Sequence, residues 1–189
     1  MRSWHPWLHF RTITRHKLLV MKYCFRIGLY KQGLLHDLSK YSPTEFLVGC
    51  KYYQGTRSPN NAEREATGVS MSWLHHKGRN RHHFEYWIDY GQEPGAGMQG
   101  TKMPVKYVVE MFCDRIAACK TYYKENYNDS MPFEYFNKNR KHYMMHPETM
   151  ELLGKMLIML KRYGEEDTLV YIRERILTGK YLKKPAVKS

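Results

Sequence analysis

The sequence predicts an all-α protein that folds as a single-domain helical bundle. Apolar residues recur at helical spacing, at Leu8, Ile13, Val20 and Ile27 near the start of the chain and again within 105–116. The alternation of apolar and polar residues that is typical of β-strands is scarce. Both observations favour amphipathic helices that share one core.

The length and composition of the chain favour one domain. Its 189 residues are 42% hydrophobic and 26% charged, which is close to globular averages and sufficient for one sizeable core. No internal repeat or low-complexity tract divides the sequence. We therefore expect one helical domain over residues 1–180 and a flexible basic tail at 181–189.

Local signals delimit the first helices. The first amphipathic segment is followed by a helix that ends near Ser39 to Tyr41. Ser42 then offers an N-cap, Pro43 occupies the first helical position and Glu45 the third, which is the arrangement of a capping box. The next helix is therefore expected to begin at Pro43.

Loops and helices alternate in the rest of the chain. Residues 55–61 (GTRSPNN) and the glycine-rich residues 91–103 are predicted to be loops. Pro104 is expected to open a helix that runs to about Tyr123. Three further helices should follow, the second of them from Pro147.

The net charge and the cysteine pattern limit the possible binding partners and the cellular compartment of the protein. Lysine and arginine outnumber aspartate and glutamate by 31 to 18, giving a net charge of +13. This excess favours nucleotides, nucleic acids or acidic lipid headgroups, although a solvated basic surface explains it equally well. Four cysteines without CxxC spacing predict free thiols in a reducing compartment. No signal-peptide core or membrane-length apolar run is present, so we expect a cytoplasmic protein with no membrane partner.

The segment HDLSK at residues 36–40 carries the most informative motif. Adjacent helical residues point about 100° apart, so amphipathic packing does not explain His36 beside Asp37, and the pair suggests a common partner. Imidazole and carboxylate ligands together suit a divalent transition metal ion such as Fe, Mn, Zn, Co or Ni. Such an ion lowers the pKa of bound water, which indicates hydrolysis. Lys40 then extends toward a phosphate oxygen, or alternatively it complements the dipole at a helix C-terminus.

A second candidate region is the histidine-dense segment at residues 73–90. A continuous helix over 71–89 would have two adjoining polar faces. One face carries His76, Asn80 and His83, and the other carries His75, Arg79 and His82. Either face offers two histidine ligands, and a break at Gly78 would let His82 and His83 both turn inward. The alternative is a polar helix whose histidines face water.

Asp114 is an unexpected residue in the helix that follows Pro104. It lies beside an apolar face that includes Val108, Met111 and Phe112, where a carboxylate requires a cation. A bound metal ion would supply that cation, and so would an ion pair with Arg115 or Arg26. His16 lies in line with apolar residues of the first helix and is a further candidate for the core.

Taken together, His16, the pair His36-Asp37 with Lys40, and Asp114 resemble the H…HD…D signature of the HD-domain superfamily of metal-dependent phosphohydrolases. HDLSK is similar to the HDxxK form that is common in that superfamily. The stretches HDLSK, HHKGRNRHH and CDRIAACK also resemble a family of small uncharacterised HD-like proteins. The resemblance covers roughly residues 9–120.

The resemblance implies an HD-like helical fold and a phosphohydrolase that acts on a nucleotide or other phosphate ester, with a metal-bound hydroxide as nucleophile. It implies one or two divalent transition metal ions. The implied metal ligands are His16, His36, Asp37, His76, His82, His83 and Asp114. The residues expected to steady the phosphate are Lys40 and Arg79, with Asn80 as a further substrate-binding candidate and Glu45 as a weaker one. FEYWIDYG stands where HD-GYP proteins carry Gly-Tyr-Pro, so recognition of a cyclic dinucleotide is not expected.

Two alternatives remain open at the level of sequence. The first is a basic nucleic-acid-binding helical protein whose histidines are incidental, although its lysines and arginines are scattered and no RRM, KH or zinc-finger pattern is present. The second is a metal-binding helical module without turnover that acts as a sensor or binds a partner.

Overall fold

The all-α class predicted from the sequence is confirmed. The computed structural model of the protein describes residues 4–180, and the tail expected at 181–189 lies outside the described residues. Within the described range the chain forms eight α-helices and one small two-stranded sheet. None of the helices in this range combines the length and the apolar character that crossing a bilayer requires.

The elements follow one another with short connections. The helices are α1 (Pro6–Arg26), α2 (Tyr30–Leu35), α3 (Pro43–Lys51), α4 (Pro59–Thr67), α5 (Met71–Lys77), α6 (Val105–Tyr123), α7 (Met131–Asn139) and α8 (Pro147–Tyr171). Short 3₁₀ turns cover Leu38–Tyr41, Phe84–Trp87, Lys124–Asn126 and Arg140–His142, and a π-helical turn covers Ile172–Ile176. The strands β1 (Ile88–Tyr90) and β2 (Met98–Gly100) pair antiparallel, with Ile88 opposite Gly100.

The core forms where α1, α6 and α8 pack together. α1 contacts both α2 and α6, and α6 also contacts α8. Fully buried side chains from the three long helices fill the centre; they include Val20, Cys24, Val109, Phe112, Ile116, Leu153, Met156, Leu157 and Leu160. This packing fixes α1 and α6 against each other, and both of these helices carry candidate ligands. The four cysteines are free thiols, of which Cys119 is partly exposed.

The structure corrects two of the predicted loops. Residues 55–61 were expected to be a loop, but Pro59 is the first residue of α4, a position that suits proline because it has no N–H to leave unpaired. The 91–103 loop contains β2, which pairs with β1 in a hairpin. This pairing joins residues about ten positions apart, so helical periodicity gave no signal for it. The predicted start of α8 at Pro147 agrees with the structure, and Gly164 (φ 77°) kinks α8.

The expected capping box is formed only in part. Ser42 is the N-cap of α3 and Pro43 is its first residue, as predicted, but the Ser42 side chain caps none of the backbone N–H groups in the first turn of α3. The Glu45 carboxylate instead accepts hydrogen bonds from His75 and His76 of α5. The residue at the third helical position therefore supports a histidine cluster.

Gly49 of α3 allows a close approach to α1. A β-carbon at this position would lie 2.0 Å from Nε2 of His9. An alanine here would normally stabilise a helix by about 1 kcal/mol. We expect Gly49→Ala instead to lower the free energy of unfolding by about 1–3 kcal/mol, because His9 is buried and has to move. Urea denaturation checks this against Thr44→Ala, an exposed substitution in the same helix; equal stabilities of the two variants would contradict the clash.

Candidate metal centre

The turn between α2 and the following 3₁₀ segment brings His36 and Asp37 to one point. His36 has extended backbone angles (φ −52°, ψ 127°), and Asp37 adopts the left-handed conformation (φ 54°, ψ 23°). Aspartate tolerates this conformation better than most residues. Because the helix is broken here, neighbouring side chains no longer diverge, and Nε2 of His36 lies 3.2 Å from Oδ2 of Asp37.

A first cluster of candidate ligands gathers at this turn. It consists of His16 from α1, His36, Asp37 and Asp114 from α6. Nε2 of His16 lies 3.3 Å from Oδ2 of Asp37 and 3.0 Å from Oδ1 of Asp114. Nε2 of His36 lies 3.4 Å from that of His16 and 3.7 Å from Oδ1 of Asp114. Residues that are distant in the sequence thus direct four ligand atoms to one volume.

The arginine-pair explanation for Asp114 does not apply. Arg26 pairs with Glu166, and the guanidinium of Arg115 lies over aromatic rings. Asp114 lies instead within ion-pair distance of His16 and His36. Its carboxylate therefore belongs to the cluster.

A second cluster forms because the helix breaks at Gly78. The continuous helix considered for residues 71–89 is absent: α5 ends at Lys77, with Gly78 as its C-cap. The chain then turns so that His82 and His83 both point inward, beside His76. Together with Asp37 these three histidines form a group of four candidate ligands. Nε2 of His76 lies 2.9 Å from that of His83.

Asp37 belongs to both clusters through its two carboxylate oxygens. Oδ2 faces His16 and His36, whereas Oδ1 lies 3.3 Å from Nε2 of His76 and 3.4 Å from Nε2 of His82. Each oxygen of this carboxylate therefore faces the ligand atoms of a different cluster. The sequence motif therefore lies at the centre of the whole site.

The donor atoms fit divalent metal ions. Oδ1 of Asp37 and Nε2 of His82 are buried, and within the described part of the chain neither has a hydrogen-bond partner. Buried polar atoms in folded proteins nearly always have a partner. These two atoms therefore favour a bound group, such as a cation, that would serve as their partner. Ligands about 2.0–2.2 Å from a first-row ion are separated from one another by about 3.0–3.5 Å, which is close to the distances observed in both clusters. The buried clusters could therefore hold metal.

Glu110 supports both clusters from behind, and sequence reasoning missed it. Its Oε1 accepts hydrogen bonds from Nδ1 of His36 at 3.0 Å and from Nδ1 of His82 at 3.2 Å. These bonds fix the tautomers that leave both Nε2 atoms free to bind a cation. The signal was present in the sequence: Glu110 lies four residues before Asp114 and thus on the same face of α6.

Glu45 has the corresponding role for His76. Its two oxygens accept hydrogen bonds from Nδ1 of His75 at 2.7 Å and from Nδ1 of His76 at 2.8 Å. His75 is held outside the clusters, so His76 is the candidate ligand of this pair. Asn80 donates to the hydroxyl of Ser39 and to the backbone carbonyl of His76, which makes it a supporting residue rather than a substrate contact.

Burial and mutual charge set the protonation of the centre. Burial alone would raise the pKa values of Asp37 and Asp114, but the neighbouring imidazoles hold both well below their usual range. Burial would lower the pKa of His36, yet Asp37 raises it well above its usual value. Burial, and then the positive charge of neighbouring histidines, lowers the pKa values of His82 and His83. These two rings are therefore neutral, the form that binds metal.

A cavity of about 180 Å³ opens beside the centre, and it is lined by residues of both clusters together with Lys40 and Arg57. Nζ of Lys40 lies 2.5 Å from Oδ2 of Asp37. Burial would lower the pKa of Lys40, but Asp37 raises it, so the ammonium stays charged. Arg79, the other residue expected to steady a phosphate, is exposed and donates to the carbonyl of His75, away from the cavity.

Replacing Glu110 should weaken metal binding at both clusters. Glu110→Gln keeps the size of the side chain but removes the charge that orients His36 and His82. Mutation of a residue that hydrogen-bonds to a metal ligand typically lowers metal affinity about 10–100-fold, and we expect a loss of affinity in that range. Competition titration with a fluorescent chelator measures it, with the exposed Glu134→Gln as control. Equal affinities for the two variants would show that Glu110 does not orient the ligands.

His9 gives the protein a specific dependence on pH. Burial, and then the charge of Lys40, lowers the pKa of His9 from 6.5 to about 4. The folded protein keeps His9 neutral, whereas the unfolded chain takes up a proton below pH 6.5, so stability falls as the pH falls between these values. This shift corresponds to on the order of 3 kcal/mol.

We therefore expect His9→Gln to lose less stability than the unmutated protein between pH 6.5 and pH 4, measured by urea denaturation. His142→Gln, at an exposed histidine, serves as the control. Identical pH profiles for His9→Gln and the unmutated protein would contradict the buried neutral state of His9.

Comparison with known proteins identifies a family but no activity. A family model described as a family of unknown function, DUF5662, matches residues 5–159. The chain therefore belongs to that family. Neither the curated proteins nor the solved structures contain a match.

Proposed function

We propose that this member of the DUF5662 family is a metal-dependent phosphohydrolase of HD type, in which the two clusters that share Asp37 would hold two divalent transition metal ions. One observation carries the proposal: the two oxygens of Asp37 face two different clusters, each with at least two imidazoles. A bridging carboxylate between two such clusters is typical of centres that bind paired ions. The resemblance of the ligand order to H…HD…D agrees with this reading.

The donor set supports a catalytic rather than a structural centre. Structural zinc sites are usually closed by four cysteine or histidine ligands, whereas catalytic sites keep a position open for substrate. Here the ligands are imidazoles and carboxylates, and His16, His76, His83 and Asp114 also line the cavity. When bound, the ions would supply a water of lowered pKa and polarise a phosphoryl oxygen.

The protein's own residues would position the ester. The charged Lys40 in the cavity wall would hold a phosphate oxygen, and Arg57, whose guanidinium also pairs with Glu65, lines the same cavity in place of Arg79. In the hydrolysis step, water oxygen forms a bond to phosphorus, the ester P–O bond breaks, and the departing alcohol gains a proton. The positive charge of Lys40 offsets the negative charge that develops on phosphoryl oxygens.

Phosphate release from a panel of nucleotides and simple phosphate esters tests the proposal, with protein reconstituted separately with Mn²⁺, Fe²⁺, Co²⁺, Ni²⁺ and Zn²⁺. We expect at least one metal and ester pair to turn over. Lys40→Met should lower kcat/KM about 100-fold while metal content stays unchanged. Lys138→Met, at an exposed lysine, should have no effect. Metal-loaded protein that cleaves no ester in the panel would refute hydrolase function.

A further inference from the structure

A larger cavity of about 470 Å³ adjoins the metal centre. It shares His83 and Asp114 with the clusters, so a molecule that reaches the centre can extend into it. Six of its lining residues are aromatic, among them Trp73, Tyr122 and Tyr143. Such a wall suits a flat ring, because ring faces stack on aromatic side chains.

Arg115 contributes a cation to this wall. Its guanidinium lies 5.7 Å from the ring centroid of Phe136 and 5.5 Å from that of Tyr143, which holds it by cation–π contacts. Among the ion pairs of residues 4–180, none involves Arg115, and its buried Nε has no hydrogen-bond partner in that range. The guanidinium is thus fixed in place with donor capacity unused.

Glu85 contributes unused acceptor capacity to the same cavity. Its Oε2 is buried and has no hydrogen-bond partner within the described residues. Arg115 and Glu85 both line this cavity, so a ligand edge that offers an acceptor and a donor, such as a carboxamide, would satisfy both. A ring with a carboxylate suits the cavity less well, because Glu85 repels a second negative charge.

We propose that the larger cavity binds the leaving group of the substrate, a flat ring whose edge carries a hydrogen-bond acceptor for Arg115 beside a donor for Glu85. This inference rests on the proposed function, because it assigns the ester bond to the adjoining metal centre. Binding of the ring in this cavity would make the protein selective for ring-bearing phosphate esters over aliphatic ones.

Binding of phosphonates tests the cavity separately from turnover, because their carbon–phosphorus bond is not hydrolysed. Calorimetry on metal-loaded protein compares ethylphosphonate, benzylphosphonate, 4-carboxybenzylphosphonate and 4-carbamoylbenzylphosphonate. We expect the plain ring to bind about tenfold more tightly than the ethyl group, and the carboxamide about tenfold more tightly again. The carboxylate should bind no better than the plain ring.

Arg115→Met keeps the length of the side chain and removes its charge and donors. It should abolish the advantage of the carboxamide over the plain ring and leave the advantage of the plain ring over the ethyl group. Arg162→Met, the same substitution at an exposed position of α8, should change neither. If Arg115→Met does not fold, the affinities of the four phosphonates for the unmutated protein still test whether the cavity binds a ring.

The two proposals fail in different ways. Equal affinity for all four phosphonates, or a preference for the ethyl group, would overturn the ring-binding cavity even if simple phosphate esters are hydrolysed. The expected order of phosphonate affinities without hydrolysis of any ester would refute the hydrolase and leave the cavity in place as a binding site for such ligands.

Discussion

Asp37→Asn is expected to remove metal from both clusters and to abolish hydrolysis. The substitution keeps the size of the side chain but removes the carboxylate that the two four-residue clusters share. Loss of a supporting partner alone costs about 10–100-fold in metal affinity, so loss of the shared ligand should cost more than about 100-fold at each cluster. Activity should fall at least about 1000-fold as a consequence.

Metal analysis of purified protein by mass spectrometry measures the effect, together with phosphate release. Asp167→Asn, at an exposed aspartate of α8, is the matched control and should retain metal and activity. An Asp37→Asn protein that binds as much metal as this control would show that the two clusters are not joined through Asp37.

Removal of metal is expected to lower the melting temperature of the unmutated protein by about 10 °C without unfolding it. An ion present at about 1000 times its dissociation constant stabilises the folded state by about 4 kcal/mol, and each kcal/mol shifts the melting temperature of a domain of this size by about 2–4 °C. The metal-free form should stay folded because the cationic Lys40 and His36 lie against Asp37 and neutralise part of its charge.

Thermal melts with and without chelator measure this effect for the unmutated protein and for Asp114→Asn. The variant should respond less to chelator, because it has lost one ligand of the first cluster. If chelator leaves the unmutated melting temperature unchanged, and Asp114→Asn lowers it equally in both conditions, then Asp114 has a purely structural role.

The site residues that could be predicted from the sequence are those with a local irregularity. His36 beside Asp37 at a helix end, and Asp114 beside an apolar face, both conflict with ordinary amphipathic packing. The structure brings these residues together with His16, and the break at Gly78 turns both His82 and His83 inward. In each case the sequence contains a local signal of a functional site, either a polar residue in an apolar setting or a helix breaker beside histidines.

The residues that were missed or misassigned depend on contacts between distant segments. Glu45 occupies the position that a capping box requires, yet its carboxylate binds two histidines some thirty positions away. Arg79 is close to the histidines in sequence but lies on the exposed side of the turn, and Arg57 lines the cavity instead. Local patterns cannot rank such alternatives, because the deciding contacts form only when α3, α4 and α5 pack together.

The most direct test of the bridged centre is a crystal structure of the Mn²⁺-loaded protein with an anomalous difference map. The expected result is two peaks per chain, about 3.5–4 Å apart, one against His16, His36 and Asp114 and the other against His76, His82 and His83, with one oxygen of Asp37 bound to each. A map with no peak in either cluster, or with a single ion that Asp37 does not bind, would contradict the proposed centre.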